Sequence, residues 1–156
     1  MKRAKQIGGI LVDAQQPWRT ENLGRLLLNA FSLFEAKVIE ALHREGFAFT
    51  RQVHLKVMRH VDREGTRMSE LSKRLGITNG AATQAVELCI KEELVEVSAD
   101  SDDKRVRRVR FTKKGKRFLD TVHSQWDAIE SDLQKTLGAH RLTCMRQSLL
   151  TIEEKP

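Results

Sequence analysis

Apolar residues recur at Leu23, Leu27, Ala30, Phe31, Phe34, Val38, Ala41 and Leu42. Steps of three and four predict one long helix over about 20–45, ended by Gly46. A second helix is expected after Thr50, its N-cap, with Val53, Val57, Met58 and Val61 inward and Gly65 at its end. Two short helices follow, over 69–75 and from Thr78 to about Glu92, parted by Gly76-Ile77. After Leu94 the period drops to 2. Val95 and Val97, then Val106, Arg107, Arg108, Val109 and Phe111, read as two strands around the polar tip Asp100-Ser101-Asp102-Asp103. Thr112 can cap the next helix, which turns Phe118, Val122, Trp126, Ile129, Leu133 and Leu137 to one side and stops at Gly138. A final helix carries Leu142, Met145, Leu149 and Ile152. Residues 1–19 lack a period and read as an arm with Pro17 near its end. The expected fold class is mainly α (α+β): about six helices and one small hairpin.

Composition narrows the function classes. A domain of 156 residues buries about 70% of its unfolded surface, so it needs no disulfide or metal staple. No apolar run reaches the roughly 20 residues of a membrane span. The stretch Ile7-Gly8-Gly9-Ile10-Leu11-Val12 is too short and too glycine-rich for a secretory signal. Two cysteines, Cys89 and Cys144, make no disulfide framework, so the expected compartment is the cytoplasm. The net charge of +7 is unevenly spread, with nine basic and no acidic residues between Lys104 and Arg117. Taking those nine from the 28 Lys and Arg leaves 19 basic against 21 acidic residues, a net of −2. A near-neutral body with one cationic stretch points to a polyanion partner, nucleic acid before membrane.

The cationic stretch adjoins a second signal. Two short helices joined by a glycine-containing turn, Ser69 through Thr78, fit a helix-turn-helix, and the basic return strand makes the hairpin behind them a wing. In the helix after Thr78 the apolar set Ala82, Ala85, Val86, Cys89 and Ile90 should face the core. Asn79, Gly80, Thr83, Gln84, Glu87 and Lys91 are left outward, the first four near the N-terminal end that enters a major groove. Gly80, Ala81 and Ala82 are small enough for a close backbone approach; Thr83 suits a phosphate or thymine methyl, and Gln84 suits the N6/N7 edge of adenine. Arg105 at the hairpin tip can reach a narrow minor groove. Lys104, Arg107, Arg108 and Arg110 read as phosphate contacts, with at least one facing elsewhere because strand side chains alternate.

The order helix, turn, helix, strand, charged tip, basic strand and capped helix resembles the MarR family of bacterial transcription regulators over residues 22–152. Three motifs carry the likeness: Met68-Ser69-Glu70-Leu71-Ser72-Lys73-Arg74-Leu75-Gly76-Ile77-Thr78 before the recognition helix, Asp100-Ser101-Asp102-Asp103-Lys104-Arg105 at the wing tip, and Phe111-Thr112-Lys113-Lys114-Gly115 opening the following helix. The resemblance implies that Arg105 enters the minor groove while Asp103 orients it. It also implies an effector, often an aromatic acid, between the dimer helices and the DNA-binding lobe. Trp18, Phe47, Phe49 and Trp126 are aromatic candidates there, although each also fits core packing. Three positions depart from the pattern: Gln84 replaces a common arginine, Cys89 a leucine, and Glu93 the glycine before the wing, where a looser helix exit is expected.

The resulting expectation is a cytoplasmic, nucleoid-associated homodimer that binds a pseudo-palindromic double-stranded operator as a transcription regulator, read as a repressor, with no membrane role. Its DNA-binding residues would be Thr78, Asn79, Gly80, Thr83 and Gln84 in the recognition helix and Lys104, Arg105, Arg107 and Arg108 in the wing, with Asp103 orienting. The chain divides into an arm (1–19), an N-terminal dimerisation helix (20–49), a winged helix-turn-helix lobe (50–118) and C-terminal dimerisation helices (119–156). Leu23, Leu27, Phe31 and Phe34, with Leu142, Met145, Leu149 and Leu150, are the candidate interface. A cysteine redox regulator and a winged-helix protein–protein module are the alternatives. Cys89 and Cys144 both suit ordinary packing, however, and nine clustered cations suit DNA better. The five histidines lack ligand spacing, and the Asp100, Asp102, Asp103 cluster lacks the glycine and glutamate of a calcium loop. No phosphate loop or nucleophile–base pair marks an enzyme, and no cofactor is implied.

Overall fold

The computed structural model describes residues 22–99 and 106–153, together with the backbone of residues 6, 7, 10 and 11. Strands β1 (Gln6–Ile7) and β2 (Ile10–Leu11) pair antiparallel within the segment expected to be a plain arm. Helix α1 runs Leu23–Arg44, starting three residues later than its apolar period suggests. The Asn22 side chain sets that start by accepting the Arg25 N–H at 2.9 Å. At its far end Gly46 takes φ +90°, and the Phe47 N–H reaches back to the Leu42 carbonyl at 2.8 Å, closing the last turn.

Helix α2 spans Gln52–His60, but Thr50 is not its cap. The Thr50 hydroxyl instead donates to the Phe47 carbonyl at 2.7 Å, and His54 Nδ1 accepts the Arg51 N–H at 3.0 Å at the helix start. A third strand, β3 (Thr66–Arg67), precedes helix α3 (Met68–Leu75). Gly76, left-handed at φ +66°, ends α3, and Thr78 caps helix α4 (Asn79–Lys91). Strands β4 (Val95–Ala99) and β5 (Arg107–Phe111) form the hairpin, so β5 starts one residue after Val106. Helix α5 (Lys113–Leu137) and helix α6 (Ala139–Glu153) complete the chain. The wing is therefore a three-stranded antiparallel sheet of order β3-β5-β4, with Val109 opposite both Thr66 and Val97. A two-residue strand has no period to read, which is why pattern alone yields only the hairpin.

One core joins the layers. Val38 and Leu42 from α1, Val57 and Met58 from α2, Leu71 from α3, Val86 and Cys89 from α4, Val109 from β5 and Phe118 from α5 are all sealed from water. Phe34 meets Trp126 edge-on at 6.1 Å where α1 crosses α5. The inward stripes are shorter than expected. Ile90 is 40% exposed, because at the last turn of α4 the core has already passed to Cys89 and Leu94. On α6, Leu142 is buried while Met145 and Ile152 stay open. On α1 the residues before Phe34 are open as well: Leu23 is 63%, Leu26 50% and Leu28 55% exposed.

The wing is pinned to α5 by the residues of its opening motif. Thr112 donates its hydroxyl to the Glu93 carbonyl and accepts the Gly115 N–H at 3.0 Å. A side chain on Gly115 would place its Cβ 1.9 Å from the Leu94 carbonyl oxygen, so only glycine lets α5 seat against the strand. Glu93 itself takes φ +57°, the left-handed conformation that glycine adopts freely. The exit expected to be looser is thus closed, with the Leu94 N–H on the Cys89 carbonyl at 2.9 Å, and the departure from glycine appears as backbone strain.

Candidate nucleic-acid interface

Helix α4 is presented with its N-terminal end outward. Thr78 Oγ1 accepts the Ala81 N–H at 3.3 Å, which leaves the remaining first-turn donors and the positive end of the helix dipole facing out. Two of the expected contact residues hold the motif together. Asn79 Oδ1 accepts from Ser72 Oγ at 2.6 Å, tying α4 to α3, and Thr83 Oγ1 is turned back onto the Asn79 carbonyl at 2.9 Å. Gln84 is exposed, and no described residue bonds its amide. A Cβ built on Gly80 meets nothing within 4 Å, so the space in front of that residue is open. Gly80 and Gln84 are the positions with capacity to spare.

The strands of the wing sort their cations by face. Arg107 shares the side of Val109 and Phe111 but lies at the sheet's end, exposed. Arg108 and Arg110 lie on the opposite side. There Arg108 donates to the Gly65 carbonyl at 2.7 Å and Arg110 to Ser98 Oγ at 2.6 Å, bracing the sheet. Asp103, Lys104 and Arg105 lie outside the described residues. Lys113, Lys116 and Arg117 extend the cationic surface onto the exposed first turns of α5.

A clamp that periodicity could not reveal ties α3 to the end of α2. Arg74 donates to Asp62 Oδ1 at 2.8 Å and to the His60 carbonyl at 3.1 Å, and it also pairs with Glu70. These bonds hold the Asp62 carboxyl below the usual carboxylate range and push the Arg74 guanidinium up. Only the Glu70–Arg74 half, at i,i+4 spacing, is legible in a sequence. His54, buried edge-on to Phe49, has its imidazole held below the ordinary range by loss of solvation, with Glu92 opposing and Arg51 adding to that shift.

The cysteines differ from each other. Cys89 is fully buried, and burial pushes its thiol up to about 12, which favours the packed, protonated thiol. Cys144, expected to be packed too, is exposed, with its sulfur 3.7 Å from His140 Nε2. Among the described residues no three His, Cys, Asp or Glu side chains group as metal ligands. No helix among them is long and apolar enough to cross a membrane.

Beside the lobe, a cavity of about 530 Å³ opens between α1, α2, β5 and α5, walled by Val38, Met58, Phe111, Phe118, Val122 and Trp126. Its polar groups include Glu35, Arg59 and His123. Of the expected aromatic wall only Trp126 is present. Phe47 is spent on an edge-on contact with Phe118 at 5.3 Å, Phe49 packs on His54 and under Lys114, and Trp18 lies outside the described residues.

Residues 49–106, from the approach to α2 through the hairpin, match the model described as MarR family. Over this stretch the chain is similar to the MarR family. The whole MarR-type architecture, terminal helices included, is shared with solved structures. Wild-type MarR of E. coli in its apo form is similar at a TM-score of 0.66 and 22% identity, covering 84% of this chain and 96% of that one. CouR from Rhodococcus jostii RHA1, solved with p-coumaroyl-CoA bound, is similar at 0.66 and 20% identity, covering 88% and 95%. BpsR of Bordetella bronchiseptica, whose DNA binding is regulated by 6-hydroxynicotinic acid, is similar at 0.66 and 17% identity, covering 88% and 96%. No curated protein sequence matches the chain. At these identities the likeness establishes the winged helix-turn-helix fold.

Proposed function

We propose that the protein is a homodimeric, sequence-specific DNA-binding transcription regulator, acting as a repressor and not as an enzyme. The observation that carries this reading is the outward N-terminal end of α4, with open space at Gly80 and an uncommitted Gln84, set beside a cationic wing. Gln84 reads a base edge, while Gly80 lets the sugar-phosphate backbone approach. Thr78, Asn79 and Thr83 shape the helix end and offer their remaining polar groups to phosphates. Lys104, Arg105 and Arg107 engage the flanking DNA, with Asp103 orienting Arg105 and Arg108 contributing from its brace on Gly65.

Dimerisation follows from the apolar surface of the terminal helices, residues 20–49 and 119–156, which flank the lobe at 50–118. The first half of α1 is apolar nearly all round, and α6 adds Met145, Leu150 and Ile152, more than a soluble monomer leaves in water. The cavity at Trp126 lies where those helices meet the lobe, so a small aromatic effector bound there would change the distance between the two reading heads. The ligands of CouR and BpsR support that reading by analogy alone.

Binding-site selection with purified protein tests the proposal. Wild type should enrich a pseudo-palindrome with half-sites about one helical turn apart, and binding should fall steeply with salt. Gln84→Ala should relax one position per half-site, whereas Arg105→Ala should weaken binding by roughly 1–3 kcal/mol at A·T-rich flanks. Weak, salt-insensitive affinity for every fragment would overturn the reading.

A further inference from the structure

The outward face of α4 is divided lengthwise into two flanks of different chemistry. At 3.6 residues per turn, Gly80 and Gln84 lie along the middle of that face, opposite the buried Ala82, Val86 and Cys89. Asn79 and Thr83 run along one side of them, and Ala81, Ala85 and Leu88 along the other. The polar flank is already engaged, since Asn79 Oδ1 accepts from Ser72 and the Thr83 hydroxyl donates to the Asn79 carbonyl. The other flank carries no polar side chain. Ala81 is exposed, Ala85 is partly buried, and Leu88, one turn beyond Gln84, is 44% exposed. A lone leucine with that exposure is ordinary surface. Here its place is what matters, because it continues the row of Gly80 and Gln84 at four-residue steps. Ala81 and Ala85 end at Cβ, which leaves Leu88 as the side chain with reach on that flank.

We propose that Leu88 is a specificity residue that reads the 5-methyl group of thymine, an inference that rests on α4 being the helix in the major groove. In that groove every base pair shows donors and acceptors, and thymine alone among the four bases adds an apolar group. Leucine offers no hydrogen bond, so it selects by methyl contact and by leaving a polar edge unpaired. Cytosine at the same place would present its N4 donor to a side chain that cannot accept it. Gln84, on the adjoining row, selects adenine through N6 and N7. Residues four apart on a helix rise by about 6 Å, close to two base-pair steps of about 3.4 Å. The thymine therefore lies within about two pairs of the adenine that Gln84 reads. The two side chains select an A·T-rich half-site by unlike means, an amide on one base and a methyl contact on another.

The test uses the full chain and the duplex that binding-site selection enriches, resynthesised with each thymine in turn replaced by deoxyuridine. That change deletes one methyl and leaves every hydrogen bond in place. Wild type should lose about fourfold in affinity at one thymine per half-site, and about fifteenfold when both half-sites are changed. Leu88→Ala should bind the thymine duplex at least as weakly as wild type binds the uracil duplex, and it should be indifferent to the swap. Leu88 lies outside the core and alanine is the better helix former, so this variant should melt with wild type. Should it melt earlier, Leu88→Gln at the same exposed position should show the same indifference. Gln84→Ala, by contrast, should keep the full uracil penalty. An equal penalty in wild type and Leu88→Ala would assign the methyl contact to another residue and overturn the proposal. Tight wild-type binding with no penalty at any thymine would overturn it while leaving the DNA-binding reading intact. If wild type enriches no duplex, that reading fails and this proposal fails with it.

Discussion

The reading lobe and the first half of α1 contain similar residues and treat them in opposite ways. In the lobe, Val57, Leu71, Val86 and Val109 are closed off within one chain, and polar side chains such as Ser72 and Asn79 find partners there. In α1, Leu23, Leu26, Leu28 and Leu33 are all half exposed or more. Burial at about 25 cal/mol per Å² supplies the drive to fold, and among the described residues the lobe gains far more of it than the leading half of α1. The difference teaches where intramolecular folding ends, within α1 at Phe34, where the contact with Trp126 starts, and so where association would begin in the proposed dimer.

The largest expected effect is an attempt to break the closed half of this comparison. Gly115→Ala forces a Cβ to within 1.9 Å of the Leu94 carbonyl oxygen, and the obstacle is backbone that cannot rotate aside. Overpacking at such a site should cost about 3 kcal/mol or more. Urea unfolding measures it, and a loss under about 1 kcal/mol would show that the wing is not clamped to α5.

Next comes the open half. Leu27→Asp puts a charge on the outward apolar stripe of α1 and should leave the lobe folded, because Leu27 lies outside the core. It should raise the dimer dissociation constant by about a hundredfold, read by sedimentation. Unaltered self-association with normal DNA binding would move the interface elsewhere.

Gly80→Ala separates folding from function within α4. Nothing lies within 4 Å of the new methyl, and alanine is the better helix former, so the fold should gain about 0.5–1 kcal/mol. DNA binding should instead weaken by roughly 1–2 kcal/mol, because the methyl occupies the space through which a phosphate backbone approaches. A variant that gains stability and binds DNA as wild type does would show that Gly80 does not face the groove.

These contrasts also explain what could be read before a structure. The six helices, the helix-turn-helix and the capped start of α5 were legible because Leu-type periods, Gly76, Thr78 and Thr112 act locally. The third strand was not, since Thr66–Arg67 has length two and exists only through its pairing with β5. Thr50 misled because a threonine after a glycine turn can close that turn as readily as it caps the next helix. Among the candidate contact residues, sequence could assign Asn79 and Thr83 to an outward face. It could not show that Ser72 and the Asn79 carbonyl had already claimed their oxygens. The cavity at Trp126 joins residues more than 50 positions apart, and no spacing rule connects them.

The smallest effect tests how tightly the closed half is drawn. Glu93 stands at φ +57°, and its carboxylate lies 3.4 Å from Lys114 Nζ, an exposed pair worth little. Glu93→Ala removes the pair and keeps the strained backbone; Glu93→Gly removes both. The difference between the two variants therefore isolates the left-handed conformation. Glycine should be the more stable by about 0.5–1 kcal/mol, even after its larger loss of chain entropy on folding. Paired urea curves at one pH and one salt concentration resolve a difference of that size when their slopes agree. If the alanine variant equals the glycine variant, the turn into β4 relaxes to an unstrained backbone. The wing would then hang on Thr112 and Gly115 alone, and the lobe would be less closed than its buried core implies.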